Sequence, residues 1–186
     1  QGEQPFIGEC WPGDSSYLDF TQSDVRNYWA GMFAFDKFKG SSEDLFVWND
    51  MNEPSVFDGP EMSLPRDTVH SKNRPRMSDL GHRELSEGNS GWEHREVHNM
   101  YGQYYHRSTY EGLLARSNKR PFVLSRSFFV GSHKYGPVWT GDNKSAWSHL
   151  QVTIPMLLSL AMSGMSFAGA DVGGFFGHPS KELYIR

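Results

Sequence analysis

Cysteine is nearly missing from this sequence. Cys10 is the only one in 186 residues, which excludes an internal disulfide and any cysteine-rich zinc module. An excess of positive charge is missing too. Eighteen Lys and Arg stand against 22 Asp and Glu, a formal net charge of −4. Phosphate binding needs a basic patch, so no nucleic-acid partner is expected. No apolar run reaches the roughly 18 residues of a membrane span; the longest, Ile154 to Phe167, is broken by Ser159, Ser163 and Gly164. Gln1 opens no basic-then-apolar leader. No Gly-rich phosphate loop follows an apolar run, which removes the usual nucleotide-binding reading. Internal repeats and low-complexity tracts are absent as well. What is abundant is aromatic: 15% of the residues, with six Trp, eight Tyr and 13 Phe. That content suits a large core or a sugar-stacking surface and does not separate the two. With 37% hydrophobic and 22% charged residues, the composition is that of a folded domain.

Residues Ile7 to Phe20 read as a loop around Trp11-Pro12-Gly13. Thr21-Gln22-Ser23-Asp24 then signals a helix start. Val25, Tyr28, Trp29, Met32 and Phe33 follow at the spacing of one buried helical face. Leu45 to Trp48 is a short run of strand formers. A loop of roughly forty residues from Asn49 to Trp92 is expected to be functional or disordered. A second helix is predicted over Val97 to Arg116, ending in the basic turn that suits a helix C-terminus. Strands are predicted at Phe122 to Leu124, Val138 to Thr140 and Ser166 to Gly169. A strongly apolar helix is expected over Ser148 to Met162, and a last one near Pro179.

Alternating strand and helix is an α/β pattern with a parallel sheet. Polar residues cluster just past each strand: Asn49-Asp50, Ser125-Arg126, Gly141-Asp142-Asn143 and Ala170-Asp171. In a (β/α)₈ barrel those ends form one active-site rim. A whole barrel needs about 250 residues, so the expectation is an incomplete barrel, a single catalytic domain over residues 1–186 with a long loop at about 55–96.

Asp50, at a strand end beside Trp48, is placed to be a nucleophile or base; position alone leaves a loop-capping role equally open. Glu53, before Pro54, reads more as a turn residue. Asp142 follows Trp139-Thr140-Gly141, and a Trp that desolvates a carboxyl raises its pKa, as a general acid requires. A turn Asp in a Gly-Asp-Asn bend is the competing reading. Asp171, between Gly169 and Gly173, reads first as a hydrogen-bonding anchor, and Arg126 as a substrate ligand or a structural ion-pair partner. Two acids at strand ends invite a two-carboxylate reaction, of which glycoside hydrolysis is the best-known case. His94 and His98 lack the Glu that a metalloprotease helix carries after its first His, and read as surface or loop-anchoring residues. Gly164-Met165-Ser166-Phe167-Ala168 only nearly matches a nucleophile elbow. The sequon Asn143-Lys144-Ser145, beside Asp142, is expected to be unused.

Trp48-Asn49-Asp50-Met51-Asn52-Glu53-Pro54-Ser55 resembles the nucleophile signature of glycoside hydrolase family 31. Trp139-Thr140-Gly141-Asp142-Asn143 resembles its acid/base segment. Ser125-Arg126, Gly169-Ala170-Asp171-Val172-Gly173-Gly174-Phe175 and Cys10-Trp11-Pro12-Gly13 resemble further motifs, in the family's order and over nearly the whole chain. The resemblance implies a (β/α)₈ barrel with flanking β domains, and retaining hydrolysis of α-glucosides without cofactor or metal. Asp50 would be the nucleophile and Asp142 the acid/base. Arg126 and Asp171 would belong to the sugar subsite, lined by Trp48, Met51 and Trp139. Arg120-Pro121-Phe122-Val123-Leu124 and Gly91-Trp92-Glu93-His94-Arg95 resemble most the branch that trims α-1,3-linked glucose from N-glycans in the endoplasmic-reticulum lumen, alongside a separate non-catalytic β subunit. A maltose-type α-glucosidase and an inactive carbohydrate-binding barrel fragment are the rival readings. Lys72 to Ser90 is longer and more polar than the family pattern. Four strands cannot close an eight-stranded barrel, so residues 1–186 alone are not expected to be a stable, active enzyme.

Overall fold

A computed structural model describes residues 5–70, 91–117 and 119–186. The polar stretch Lys72 to Ser90 lies outside the described residues. The chain opens with an antiparallel hairpin, β1 (Ile7–Cys10) and β2 (Gly13–Ser16), where a loop was predicted. Its strands are rich in Gly, Glu, Asp and Ser, residues depleted in sheets, so the backbone ladder leaves no side-chain signature. Helix α1 (Ser23–Gly31) and strand β3 (Val47–Asn49) follow. The long predicted loop contains a small antiparallel pair, β4 (Val69–His70) and β5 (Trp92–Glu93). Then come α2 (His94–Ser117), β6 (Val123–Ser125), a 3₁₀ turn (Ser132–Lys134), β7 (Val138–Trp139), α3 (Trp147–Met162), β8 (Ala168–Gly169) and α4 (Lys181–Ile185).

Strands β3, β6, β7 and β8 pair in that order, every pair parallel. Asn49 stands opposite Ser125, and Trp139 opposite Gly169. The ends of four neighbouring strands therefore come level at one rim, as the α/β barrel reading requires. The link between β6 and β7 holds only the 3₁₀ turn and is too short for a full crossover helix.

One face of the sheet is covered by α2 and α1. Phe33, Leu113 and Val123 form one buried cluster, and Phe20, Tyr101 and Tyr104 another. Phe20 stacks on Tyr105 with centroids 4.4 Å apart. Helix α2 also reaches the loops beyond the strand ends. A Cβ at Gly102 would lie 2.2 Å from the Ser127 hydroxyl and 2.9 Å from the Asn52 carbonyl. Glycine is what allows this helix to press on both loops at once.

The predicted apolar face of α1 is corrected in two places. Tyr28 is exposed, whereas Arg26 is buried and donates to the carbonyls of Phe20 and Thr21 at 2.9 and 2.8 Å. The guanidinium satisfies carbonyls that precede the helix, and the Tyr104 ring lies 4.9 Å from it. Helix α3 buries none of its residues; Ile154, Leu158 and Met162 stand exposed on it. Among the described residues no helix is long and apolar enough to cross a membrane.

His94 is an anchor, as read, but a deeply buried one. A hydrogen-bonded file runs from Asp19 Oδ1 to His70 Nδ1 (3.0 Å), from His70 Nε2 to His94 Nδ1 (2.9 Å) and from His94 Nε2 to His98 Nδ1 (2.8 Å). It ties the approach to α1, the β4–β5 pair and the start of α2 together, which is why α2 begins at His94 and not at Val97. Burial, then the charges of His70 and His98, push His94 down to about 4. Burial likewise pushes His106 down to about 4, against its hydrogen bond to the Val123 carbonyl. Burial works to raise Asp19, but hydrogen bonds from His70, Thr21 and Gln22 outweigh it and hold the carboxyl at about 2.

All three shifts act on the acid side. Both imidazoles refuse protons that the unfolded chain takes up below 6.5. Stability is therefore complete above pH 6.5 and falls toward pH 4, with a further loss from 3.8 toward 2 as Asp19 protonates in the unfolded state. A fully engaged imidazole contributes a slope of about 1.4 kcal/mol per pH unit. His106→Gln keeps a donor for the Val123 carbonyl and removes one titrating group. Thermal unfolding of the complete chain between pH 7.5 and 4.5 is expected to show a smaller acid loss in this variant; equal losses would count against the assignment.

Candidate active site

Asp50 is the first residue past β3, and Arg126 the first past β6. The strands hold these positions level, since the Arg126 N–H donates to the Asn49 carbonyl at 3.1 Å. The guanidinium then reaches back across the rim. Its NH1 lies 3.1 Å from Asp50 Oδ1. Nε and NH2 donate to the two oxygens of Glu53 at 2.7 and 3.0 Å, and NH2 touches the Met51 sulfur at 2.9 Å. The planar fork matches a carboxylate edge with two parallel bonds. Asp50 Oδ1 also accepts the Met51 N–H at 2.9 Å. Met51 sits at φ 58, a left-handed conformation that costs a non-glycine residue about 1–2 kcal/mol. The surrounding hydrogen bonds over-determine it.

Beneath this group lies Asn52, fully buried. It donates to the Ser125 hydroxyl at 2.9 Å and accepts the Ser127 N–H at 2.9 Å, while Ser125 donates to the Ser127 carbonyl at 2.7 Å. The loops after β3 and β6 are thus joined twice, by a buried neutral bridge and by a charged fork above it. Glu53 had read as a turn residue. Its function as the main partner of Arg126 was detectable only as an unassigned acid three residues after Asp50 on the same loop.

Past β7, Gly141 is buried at φ +82 and turns the chain outward. Asp142 stands exposed. The expectation that Trp139 desolvates Asp142 is therefore corrected: Trp139 is buried, but the turn carries the carboxyl away from the sheet. Past β8, burial raises the Asp171 carboxyl above its ordinary value, and the charges of Asp142 and Asp50 add to the rise. Arg126 is held cationic mainly by its hydrogen bonds to Glu53, against burial, with the charges of Glu53, Asp50 and Asp142 assisting. The charges of Asp50 and Asp142 thus reach both Asp171 and Arg126.

Trp48 and Trp139 meet on the uncovered face of the sheet, ring centroids 5.6 Å apart and planes at 64°. With Leu124, Gly169 and Asp171 they line a cleft of about 460 Å³. A larger hollow of about 550 Å³ separates Arg126 and Trp139 from Val152, Met156 and Leu160 of α3. Exposed Trp11, at the tip of the first hairpin, packs edge-on against Phe57 with centroids 5.1 Å apart. The Phe57 N–H donates to the Glu9 carbonyl at 2.8 Å, so the hairpin is pinned to the loop that follows Asp50. Ser166 of the near-elbow motif precedes β8 and does not stand on a strand-to-helix turn. Among the described residues no group of three or more His, Cys, Asp or Glu is arranged to hold a metal ion.

The arrangement offers two carboxylates, Asp50 and Asp142, a third acid of raised affinity for its proton, and a fixed cation, beside exposed indole. Such a rim can attack, protonate and orient a polyhydroxylated ring.

Comparison with known proteins agrees with this geometry. The family model described as "Glycosyl hydrolases family 31 TIM-barrel domain" matches residues 1–186. "Neutral alpha-glucosidase AB" of Dictyostelium discoideum is 52% identical over 184 residues, covering 97% of this chain and 18% of the relative. The "Crystal structure of glucosidase II alpha subunit", bound to alpha3-Glc2, superposes with a TM-score of 0.83 at 48% identity, again over 97% of this chain and 18% of that one. The catalytic subunit in the "Crystal structure of ER glucosidase II heterodimeric complex", with the binding domain of its regulatory subunit, gives 0.82 at 48% identity over 96% and 18%. The chain spans about a fifth of the length of these relatives.

The neutral bridge is expected to set the stability of the rim. Asn52→Ala takes the acceptor from the half-buried Ser127 N–H and the amide donor from the Ser125 hydroxyl, at a cost of about 2 kcal/mol. Asn27→Ala, on the exposed side of α1, should cost within about 0.5 kcal/mol. Thermal unfolding of the complete chain compares the two, and equal effects would deny the bridge its structural weight.

Proposed function

Because this chain belongs to glycoside hydrolase family 31, we propose that it carries the reacting centre of a retaining α-glucosidase. The observation that supports this most is the placement of Asp50, Arg126, Asp142 and Asp171 just past four adjacent parallel strands, with Arg126 in contact with Asp50. Asp50 is the nucleophile: a carboxylate oxygen attacks the anomeric carbon, and the bond to the departing oxygen breaks. Asp142 gives that oxygen its proton. The β-linked glycosyl ester so formed is then opened by water, which loses a proton to Asp142 as the ester bond breaks and the Asp50 carboxylate is released. Two inversions return the α configuration. Retaining enzymes keep the two carboxyls about 5–5.5 Å apart. Arg126 and Asp171 bind sugar hydroxyls, and Trp48, Met51 and Trp139 wall the subsite. No proton or electron in this scheme requires a cofactor.

The substrate we assign is terminal α-1,3-linked glucose of an N-glycan, in the endoplasmic-reticulum lumen. The support is the likeness to a glucosidase II alpha subunit bound to alpha3-Glc2 and to a catalytic subunit crystallised with a regulatory partner. A non-catalytic β subunit is the corresponding partner. Residues 1–186 are one piece of the barrel domain, completed by further strands.

Asp50→Asn in the complete chain is expected to lower turnover by at least about 10³-fold while sugar binding persists. Proton NMR should show α-glucose as the first product, and nigerose should be cleaved in preference to maltose. First release of β-glucose would sink the retaining mechanism, and a preference for maltose would favour the general α-glucosidase. If wild type and variant both bind and neither hydrolyses, the barrel is a binding module.

A further inference from the structure

Asp142 is exposed, so packing does not hold its side chain, yet an acid/base group must meet one oxygen at hydrogen-bond distance. Its place is set by the backbone on either side. Before it, the Thr140 N–H donates to the Gly169 carbonyl at 3.0 Å. After it comes Asn143, which is tied down through both ends of its amide. Nδ2 donates to the Asp171 carbonyl at 3.1 Å, and Oδ1 accepts the Phe175 N–H at 3.1 Å. The Asn143 carbonyl accepts from Phe175 and Phe176, each at 2.9 Å, and Ser145 N–H donates to the Phe176 carbonyl at 2.8 Å. The loop past β8 is shaped for this contact. Gly174, at φ +94, approaches so closely that a Cβ there would lie 2.4 Å from the Ser145 nitrogen.

We propose that Asn143 is the positioning residue of the acid/base carboxylate, its side-chain amide fastening the loop that carries Asp142 to the loop that carries Asp171. This rests on the reading of Asp142 as the acid/base group. The amide serves two partners at once, donating to the Asp171 carbonyl and accepting the Phe175 N–H that it shares with its own backbone carbonyl, whereas a carboxylate has no donor for Asp171. The same commitment takes Asn143 out of use as a glycan acceptor, although Asn143-Lys144-Ser145 is a sequon. A glycan on Nδ2 would leave a single N–H on that nitrogen and would need room between the two loops that the amide joins.

The test separates positioning from mere stability by leaving group. In the complete chain, Asp142→Ala, Asn143→Ala and Asn143→Asp are assayed on an α-linked glucose disaccharide, whose departing oxygen needs a proton, and on α-glucosyl fluoride, whose fluoride does not. Asp142→Ala calibrates the reading. It should lose roughly 10²-fold or more in kcat/KM on the disaccharide and far less on the fluoride; equal losses would remove the acid/base role and this proposal with it. Given that split, Asn143→Ala is expected to lose roughly 10-fold or more on the disaccharide and only a few-fold on the fluoride. Asn143→Asp keeps the acceptor for Phe175 and should show a smaller split in the same direction; it decides the matter if the alanine variant does not fold. Equal losses on both substrates, or peptide mapping that finds a glycan on Asn143 of the active enzyme, would overturn the proposal while leaving Asp142 in its role.

Discussion

The guanidinium of Arg126 is the constraint on which the rim depends. It engages Asp50, Met51 and Glu53 at once, and all three sit on one loop after one strand, while Arg126 sits on the next. The contact therefore fixes the angle between two neighbouring β-to-α loops. It is partly buried, so two carboxylates and a cation have given up water to make it. Such a group is tolerable only when charges and hydrogen bonds are matched. Glu53 supplies that match: its two oxygens take the two parallel donors, which leaves NH1 for Asp50. Without Glu53, Nε and NH2 would each lose their carboxylate partner on this loop.

The layers below make this possible. Parallel pairing brings Asn49 opposite Ser125 and so puts Asp50 beside Arg126. The Asn52 bridge holds the two loops in a neutral frame, and α2 presses on that frame through Gly102. The histidine file anchors the same helix at its N-terminus, two turns before Gly102. Long-range order at the rim thus descends through contacts that carry little chemistry of their own, which is how a loop-borne site acquires the precision of a rigid element.

What could be read in advance follows from where the information is stored. Parallel strands buried by a helix appear as short apolar runs, so β3, β6, β7 and β8 were each legible to within two residues. The polar residue after each run marked the rim. The first hairpin was invisible because its ladder is backbone bonding between Gly, Glu, Asp and Ser. The burial of Arg26 has no local signature, because nothing in the neighbouring sequence announces that the carbonyls of Phe20 and Thr21 need donors. Exposure of Asp142 was misjudged for a related reason: proximity to Trp139 in sequence says nothing of the direction that Gly141 gives the chain. Glu53 was undervalued because its worth lies in a partner seventy-three positions away.

The two carboxylates at the centre are held by opposite means, and their proposed roles explain why. A nucleophile must keep one oxygen aimed along a fixed line, and a hydrogen-bonded cation at contact distance orients a carboxylate. Asp50 accordingly meets a guanidinium. An acid/base group must pass through both protonation states in every cycle, and a hydrogen-bonded counter-ion would oppose one of them. Asp142 is placed without such a contact in its support: the bonds that fix its loop run between neutral amides, from Thr140 to Gly169 on one side and from Asn143 to Asp171 and Phe175 on the other. Rigidity is supplied through the backbone to the residue at the apex of the loop. The glycines of the β8 loop belong to the same arrangement, since only a loop without side chains at that point can come close enough for its N–H groups to hold Asn143.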